Sequence, residues 1–256
     1  MIQEPFATGN SLIHRLDPRA RVVAASAFSF TLALSAGLYT LLSGLLISLS
    51  LVLLARLDLY KVFQRLTVVM GFLLLLWFIL PWSYGGQTLI TIGPLAISRP
   101  GVALSIQISL KSTAILLALI ALIGTMTTAH LGQALNRLRL PDKIVYLILL
   151  TYRYIFVIEH EYQRLLRAAR IRNFKPGTNL QTYRTYAYLM GMLFVRAAER
   201  ATRVHQAMVC RGFGGKFHSL EEFKGTRRDW IFTGLMVVIV GSLIVIEWRV
   251  KRCFTG

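Results

Sequence analysis

Two stretches of the chain repeat one local design. Arg170-Ile171-Arg172-Asn173-Phe174 and Cys210-Arg211-Gly212-Phe213 each place an arginine at the end of a predicted helix. A residue that tolerates a left-handed backbone follows, and then a phenylalanine. A guanidinium at such a tip presents a planar fork that binds a carboxylate through two parallel hydrogen bonds. Charge-assisted bonds of this kind contribute about 1.5–3 kcal/mol each. The triplets Ile171-Arg172-Asn173 and Cys210-Arg211-Gly212 are therefore candidate docking residues. Arginine is also an ordinary cation at a helix C-terminus, where it offsets the helix dipole. The pattern alone leaves both readings standing.

Other chemistry is sparse. No Gly-x-x-x-x-Gly-Lys-Ser/Thr phosphate loop occurs. The five histidines (His14, His130, His160, His205 and His218) are scattered without a His-x-x-x-His or Cys-His spacing, so no metal site is expected. Cys210 and Cys253 form no metal or redox spacing and read as free thiols. The apolar segments carry no paired carboxylates and no nucleophile–base set, so no catalytic residues are assigned. Asp17 reads as the cap of a helix that begins at Pro18, a structural role shared with His14. Arg153, between Tyr152 and Tyr154, could bind lipid phosphate, hold neighbouring helices by hydrogen bonds, or stack on an aromatic ring. It is read as a structural brace. Lys111 lies about 15 Å along an apolar helix from Gly101 by helical rise. A cation at such depth is a functional candidate. Ser105, Ser109 and Ser112 recur beside it at spacings that suit helix–helix contact.

The elements that must position these residues follow from hydropathy. The chain has 256 residues, 55% of them hydrophobic, with a mean hydropathy of +0.58 and a formal charge of +18. This composition predicts an all-α polytopic membrane protein. Crossing a bilayer takes about 20 helical residues. Five stretches approach or exceed that length: Val22–Ala36, Leu38–Ala55, Leu66–Trp82, Gly101–Thr127 and Trp230–Trp248. The first two are predicted to form a tight hairpin or one bent helix. Residues 141–158 and 186–195 are apolar but too short or too charged to span, and are read as helices packed under the bundle. The Gly85-Gly86 and Gly93-Pro94 pairs bracket a predicted β-hairpin around Thr88–Ile92. Residues 128–228 hold 18 Lys and Arg against 6 Asp and Glu, a net charge of +12. The positive-inside rule then places the N-terminus, residues 56–65 and this insert in the cytoplasm. Three parts result: residues 1–127 with four spans, 128–228 as a cytoplasmic module of amphipathic helices, and 229–256 with the last span. The basic tail Arg249, Lys251 and Arg252 sits on the outer side in this scheme, against the rule.

Within the insert, Ile158, Tyr162, Leu165, Leu166 and Ala169 form one helical stripe. Ala197, Ala201, Val204 and Met208 form another, whose small residues would allow a close crossing. Glu199 is spaced to pair with Arg203. Glu221-Glu222 beside Lys224 reads as a solvated linker.

These residues resemble the T component of energy-coupling-factor (ECF) transporters, in particular its cobalt/nickel branch. The resemblance covers nearly the whole chain. It includes Ser11–Arg19 before the first span, Leu138-Arg139-Leu140-Pro141 leading into Leu150–Val157, and both arginine tips. The family carries a three-residue signature with a central arginine, often Ala-Arg-Gly. Asn173 stands where that signature has Gly, and Asn enters the left-handed region more readily than most residues. The resemblance implies a non-catalytic subunit, multi-pass in the cytoplasmic membrane with its N-terminus inside. It implies that the tips hold two ATPase subunits, which bind the ATP and Mg, while this chain has no cofactor of its own. It implies a separate membrane subunit, the S component, that captures the metal and is tilted when the ATPase pair closes. Within that frame Lys111 reads as a cation held in a polar contact between subunits. Whether the cargo is cobalt or nickel is left to the partner. The competing reading is a membrane-anchored basic protein that binds anionic lipid or nucleic acid. Nucleic acid would require a continuous basic stripe, whereas Arg172 and Arg211 end separate helices with apolar faces, so no nucleic acid is expected.

Overall fold

Asp17 begins the first helix: its carboxylate accepts the Arg19 N–H at 3.0 Å, and Pro18 supplies a pre-set φ at the first helical position. The computed structural model describes residues 11, 13–83, 88–92, 95–138, 141–214 and 227–255. Leu12, Arg139-Leu140, Glu221-Glu222 with Lys224, and the glycine pairs around the hairpin lie outside these residues.

The described elements are α1 (Pro18–Leu34), α2 (Leu38–Leu54), α3 (Leu59–Ser83), β1 (Thr88–Ile92), β2 (Leu95–Ser98), α4 (Arg99–Leu122), α5 (Thr128–Arg137), α6 (Asp142–Ile171), α7 (Leu180–Cys210) and α8 (Arg227–Thr255). The architecture is that of an all-α membrane protein with one small hairpin, which pairs antiparallel and is bulged between Thr88 and Ile90. α3, α4 and α8 are each long and apolar enough to cross a membrane, and α2 is a shorter apolar helix of 17 residues. α1 also has 17 residues and carries Arg19 and Arg21 in its first turn.

The chain divides into two compact units, one holding α1–α4, the hairpin and α8, the other holding α6 and α7. In the first, α4 packs against α1, α2 and α3, while α8 packs against α1 and α2. Small residues allow the approach: Ala25, Ala114, Ala118 and Ala121 are fully buried, interleaved with Phe28, Leu32, Leu41 and Leu122. Such packing at van der Waals density is what holds apolar helices together in lipid. Gly101 marks a close approach of two backbones. A Cβ there would lie 2.7 Å from the Leu80 carbonyl oxygen and 3.0 Å from the Pro81 Cα.

α1 and α2 are separate helices joined by Ser35–Gly37, not one bent helix. The cause lies on α8. The Glu247 carboxylate accepts from the Ser35 hydroxyl (2.6 Å), the Ala36 N–H (2.9 Å), the Gly37 N–H (3.1 Å) and the Thr40 hydroxyl (2.9 Å). It satisfies N–H groups freed at the break, which lipid could not. From α4, Gln107 Nε2 donates to the Ala36 carbonyl and Lys111 Nζ to the Ala33 carbonyl, at 3.0 and 3.1 Å. At the opposite end Asp229 Oδ1 accepts the Asp17 N–H at 2.8 Å. Asp17 to Ser35 and Asp229 to Glu247 are each 18 residues, about 27 Å by helical rise. α1 and α8 therefore run parallel, pinned by a carboxylate at each end. The end of α8 lies with the α1–α2 break, far from Asp17. There Arg252 stacks 3.6 Å from the Trp248 ring centroid.

Several boundaries differ from expectation. α3 begins at Leu59 instead of Leu66, because helical hydrogen bonding continues through its polar first turns. α4 ends at Leu122, and a turn precedes α5. Residues 141–158 and 186–195 are not separate shallow helices. They are the N-terminal halves of α6 and α7, continuous helices of 30 and 31 residues.

Candidate functional site: two arginine tips on one helix pair

α6 and α7 end in the same backbone motif. After Ile171, Arg172 is the last half-helical residue and Asn173 takes a left-handed φ of 65°. The Asn173 N–H donates to the Arg170 carbonyl at 3.0 Å and the Phe174 N–H reaches back to Ala169 at 3.1 Å. After Cys210, Arg211 is followed by Gly212 at φ 75°. The Gly212 N–H donates to Val209 at 2.9 Å and the Phe213 N–H to Met208 at 3.0 Å. These are two Schellman turns with matching register. Asn173 thus holds the same backbone as Gly212.

Each turn is anchored by its phenylalanine. Phe174 meets Tyr186 of α7 edge-on with centroids 5.5 Å apart, and Phe213 stacks on Tyr146 of α6 at 5.6 Å. Arg196 bonds to Glu161 near the middle of both helices. The pairs 146–213, 161–196 and 186–174 run in opposite senses along the two helices, so α6 and α7 are antiparallel. Their tips lie at opposite ends of a pair about 45 Å long by helical rise. Arg172, Arg211 and Ile171 are exposed, Ile171 at 87%. Among the described residues neither tip guanidinium has a hydrogen bond or ion pair. Cys210 is an exposed free thiol.

The remaining sequence candidates divide between the units. Arg153 is in α6, exposed and without a hydrogen bond among the described residues, so it does not brace the helices that way. It lines a cavity together with Arg211. Asp17, Pro18 and Lys111 belong to the membrane unit. Lys111 is satisfied within the chain by the Ala33 carbonyl. Ser109 accepts from the Trp77 indole of α3 at 2.9 Å, while its own hydroxyl and that of Ser105 donate back along α4. The Glu199–Arg203 ion pair does not form among the described residues; such exposed pairs gain little. The small-residue face of α7 does not close against α6. Ala197, Ala201 and Val204 instead line a cavity of about 450 Å³ with Leu150, Tyr154 and Ile158.

Sequence reasoning missed Arg21, Asp229 and Glu247. Arg21 is 2% exposed and donates to Thr125 Oγ1 at 3.1 Å, clamping the end of α4 to α1. Glu247 had a visible signal: it is the one acidic residue inside the last apolar run, where a charge requires a partner. Among the described residues no group of three or more His, Cys, Asp or Glu could hold a metal ion.

Comparison with known proteins gives matches over most of the chain. Residues 9–221 match the family model described as CbiQ, cobalt transport protein. The chain is 26% identical to the energy-coupling factor transporter transmembrane protein EcfT of Bacillus subtilis, over 96% of this chain and 95% of that one. It is 29% identical to the EcfT of Brevibacillus brevis, over 95% and 96%. An uncharacterized protein of Methanocaldococcus jannaschii is 30% identical over 51% of this chain and 47% of its own length.

Proposed function

Since the chain belongs to the CbiQ family of cobalt transport proteins, we propose that it couples ATP hydrolysis to uptake of a divalent transition metal, cobalt or nickel, and that its arginine tips hold two ATPase subunits. The coarser identity rests on family and relatives: it is an energy-coupling transmembrane subunit of an ECF transporter, multi-pass in the membrane. The observation that carries the finer reading is the pair of Arg–left-handed–Phe turns with the same hydrogen-bond register at opposite ends of one antiparallel helix pair. Two tips with the same backbone turn, facing apart, suit two ATPase subunits that approach and separate. Midpoint and end contacts between α6 and α7 make the pair a lever that moves with them. That motion tilts a separate membrane subunit, the S component, in which metal selectivity resides. ATP and Mg belong to the ATPase subunits, and this chain supplies force transmission.

Orientation follows from charge and connectivity. The end of the membrane unit that bears Asp17, Arg21, Thr125 and Asp229 adjoins in sequence both the N-terminal segment and the two ends of the basic insert. With the basic insert inside, that end is cytoplasmic, and the Trp248–Arg252 end faces out.

The test is docking. Arg172→Ala or Arg211→Ala weakens co-purification of the ATPase with the tagged subunit and abolishes metal uptake in cells. The double variant loses the complex. Unchanged recovery and uptake in the double variant overturns the proposal.

A further inference from the structure

The α7 tip has a neighbour that the α6 tip lacks. A cavity of about 860 Å³ opens between the first half of α6 and the last turns of α7. Two guanidiniums line it, Arg153 from α6 and Arg211 from the tip, with Tyr146, Tyr154, Met208 and Phe213 around them. Among the described residues no acidic side chain lines it. Neither guanidinium has a hydrogen bond or ion pair among the described residues. Like charges lining one cavity repel, the more weakly because both arginines are exposed to solvent. A carboxylate entering between them removes that repulsion and can be held by planar, parallel hydrogen bonds.

The two tips match in backbone, so the difference lies in their flanks. Phe213 rests on Tyr146 as Phe174 rests on Tyr186. Seven and eight residues beyond Tyr146, two helical turns on, stand Arg153 and Tyr154; the same steps beyond Tyr186 reach Leu193 and Phe194. Phe194 is 76% exposed. One flank is cationic and the other apolar.

Building on the docking reading, we infer that Arg153 and Arg211 together form a carboxylate-binding site for an acidic side chain of the ATPase subunit seated on the α7 tip, and that the two tips are therefore unequal grips. The occupant is anionic because, among the described residues, the cavity presents two cations and no anion. It is proteinaceous because one wall is the docking tip itself, with Leu149, Leu150 and Val204 placed to take an aliphatic stem. The α6 tip carries Arg170 and Arg172 on its own last turn and meets an apolar flank on α7, so no arginine from the facing helix joins it there.

The experiment uses the full-length subunit in nanodiscs of zwitterionic lipid, titrated with purified ATPase subunit across a salt series. Arg153→Ala is expected to weaken ATPase binding about tenfold, the equivalent of about 1.4 kcal/mol, and to flatten its salt dependence. Arg153→Lys keeps the charge and restores part of the affinity. Combined with Arg211→Ala, Arg153→Ala costs less than the sum of the single effects, because both arginines serve one carboxylate; combined with Arg172→Ala the effects add. Wild-type binding by Arg153→Ala while Arg211→Ala loses affinity sinks the shared site yet leaves the docking reading intact. Loss confined to nanodiscs containing phosphatidylglycerol assigns the cavity to a lipid headgroup and overturns the inference. Full binding by the Arg172→Ala/Arg211→Ala variant is a different failure, that of the docking reading itself.

Discussion

Removing the Glu247 carboxylate should loosen the membrane unit more than any other single polar change. In Glu247→Ala four donors lose their acceptor at once: two hydroxyls and two backbone N–H groups. Ser35 and Thr40 are 2% and 0% exposed, so water cannot replace what they lose. An unsatisfied buried polar group costs about 1–3 kcal/mol. The hydroxyls can rotate and Ala36 is exposed, so the total falls near 3–5 kcal/mol, the range for breaking a buried charged network. Glu247→Gln is milder. Oε2 accepts three of the four bonds and Oε1 only one, so an amide with its oxygen on the Oε2 side keeps three. A loss of about 1–2 kcal/mol follows. Each kcal/mol shifts Tm by roughly 2–4 °C for a chain of this size. Thermal unfolding of the purified subunit, followed by intrinsic tryptophan fluorescence, should rank wild type above Gln above Ala, with Ala lower by roughly 6–20 °C. An alanine variant melting within about 2 °C of wild type, or a glutamine variant as weak as alanine, would refute the reasoning.

Three further outcomes are expected. Gly212→Ala forces a side chain into a left-handed backbone at a cost of about 1–2 kcal/mol, fraying the α7 tip and weakening ATPase recovery, whereas Asn173→Gly leaves recovery unchanged; pull-down of the ATPase reads both. Gly101→Ala drives a methyl into the Leu80 carbonyl and Pro81 backbone and destabilises by about 1–3 kcal/mol or more. Gly44→Ala meets only the movable end of Leu32 and costs less, and paired thermal melts separate the two. The Arg196 hydrogen bond, aided by the charges of Arg196, Arg164 and Arg200, holds the Glu161 carboxyl below its ordinary value of 4.5. Its contribution is therefore complete above about pH 4.5 and fades as pH falls through the lower folded value. Hydrogen-exchange protection around residues 158–165, corrected for the intrinsic rate at each pH, should stay flat from pH 7 to 5 and fall only below that, and Glu161→Gln should remove the acid-dependent fall.

The candidate site was legible to an unusual degree. Arginine, a left-handed-tolerant residue and phenylalanine in sequence encode a Schellman turn through local interactions alone, so both tips formed where the pattern placed them. The Asp17-Pro18 start and the Thr88–Ile92 strand are local in the same sense. Lys111 and Arg153 were visible as unusual residues, but their surroundings were not. Lys111 answers to a carbonyl 78 positions away, and Arg153 shares its cavity with a residue 58 positions on. The continuous length of α6 and α7 was hidden for another reason: hydropathy changes midway along each helix while backbone hydrogen bonding does not.

By itself the sequence determined the membrane class, the apolar helices and the two tips. Each depends on composition or on neighbours within a few residues, where hydrophobic transfer and backbone geometry act without reference to the rest of the chain. Tertiary structure alone decided that α1 and α8 run parallel with a carboxylate pin at each end. It alone decided that Glu247 meets the break between α1 and α2, that the tips face opposite ways, and that Arg153 of α6 lines a cavity with the α7 tip. Those features rest on hydrogen bonds and ring contacts between residues tens to hundreds of positions apart. Such partners become neighbours only after the helices have packed.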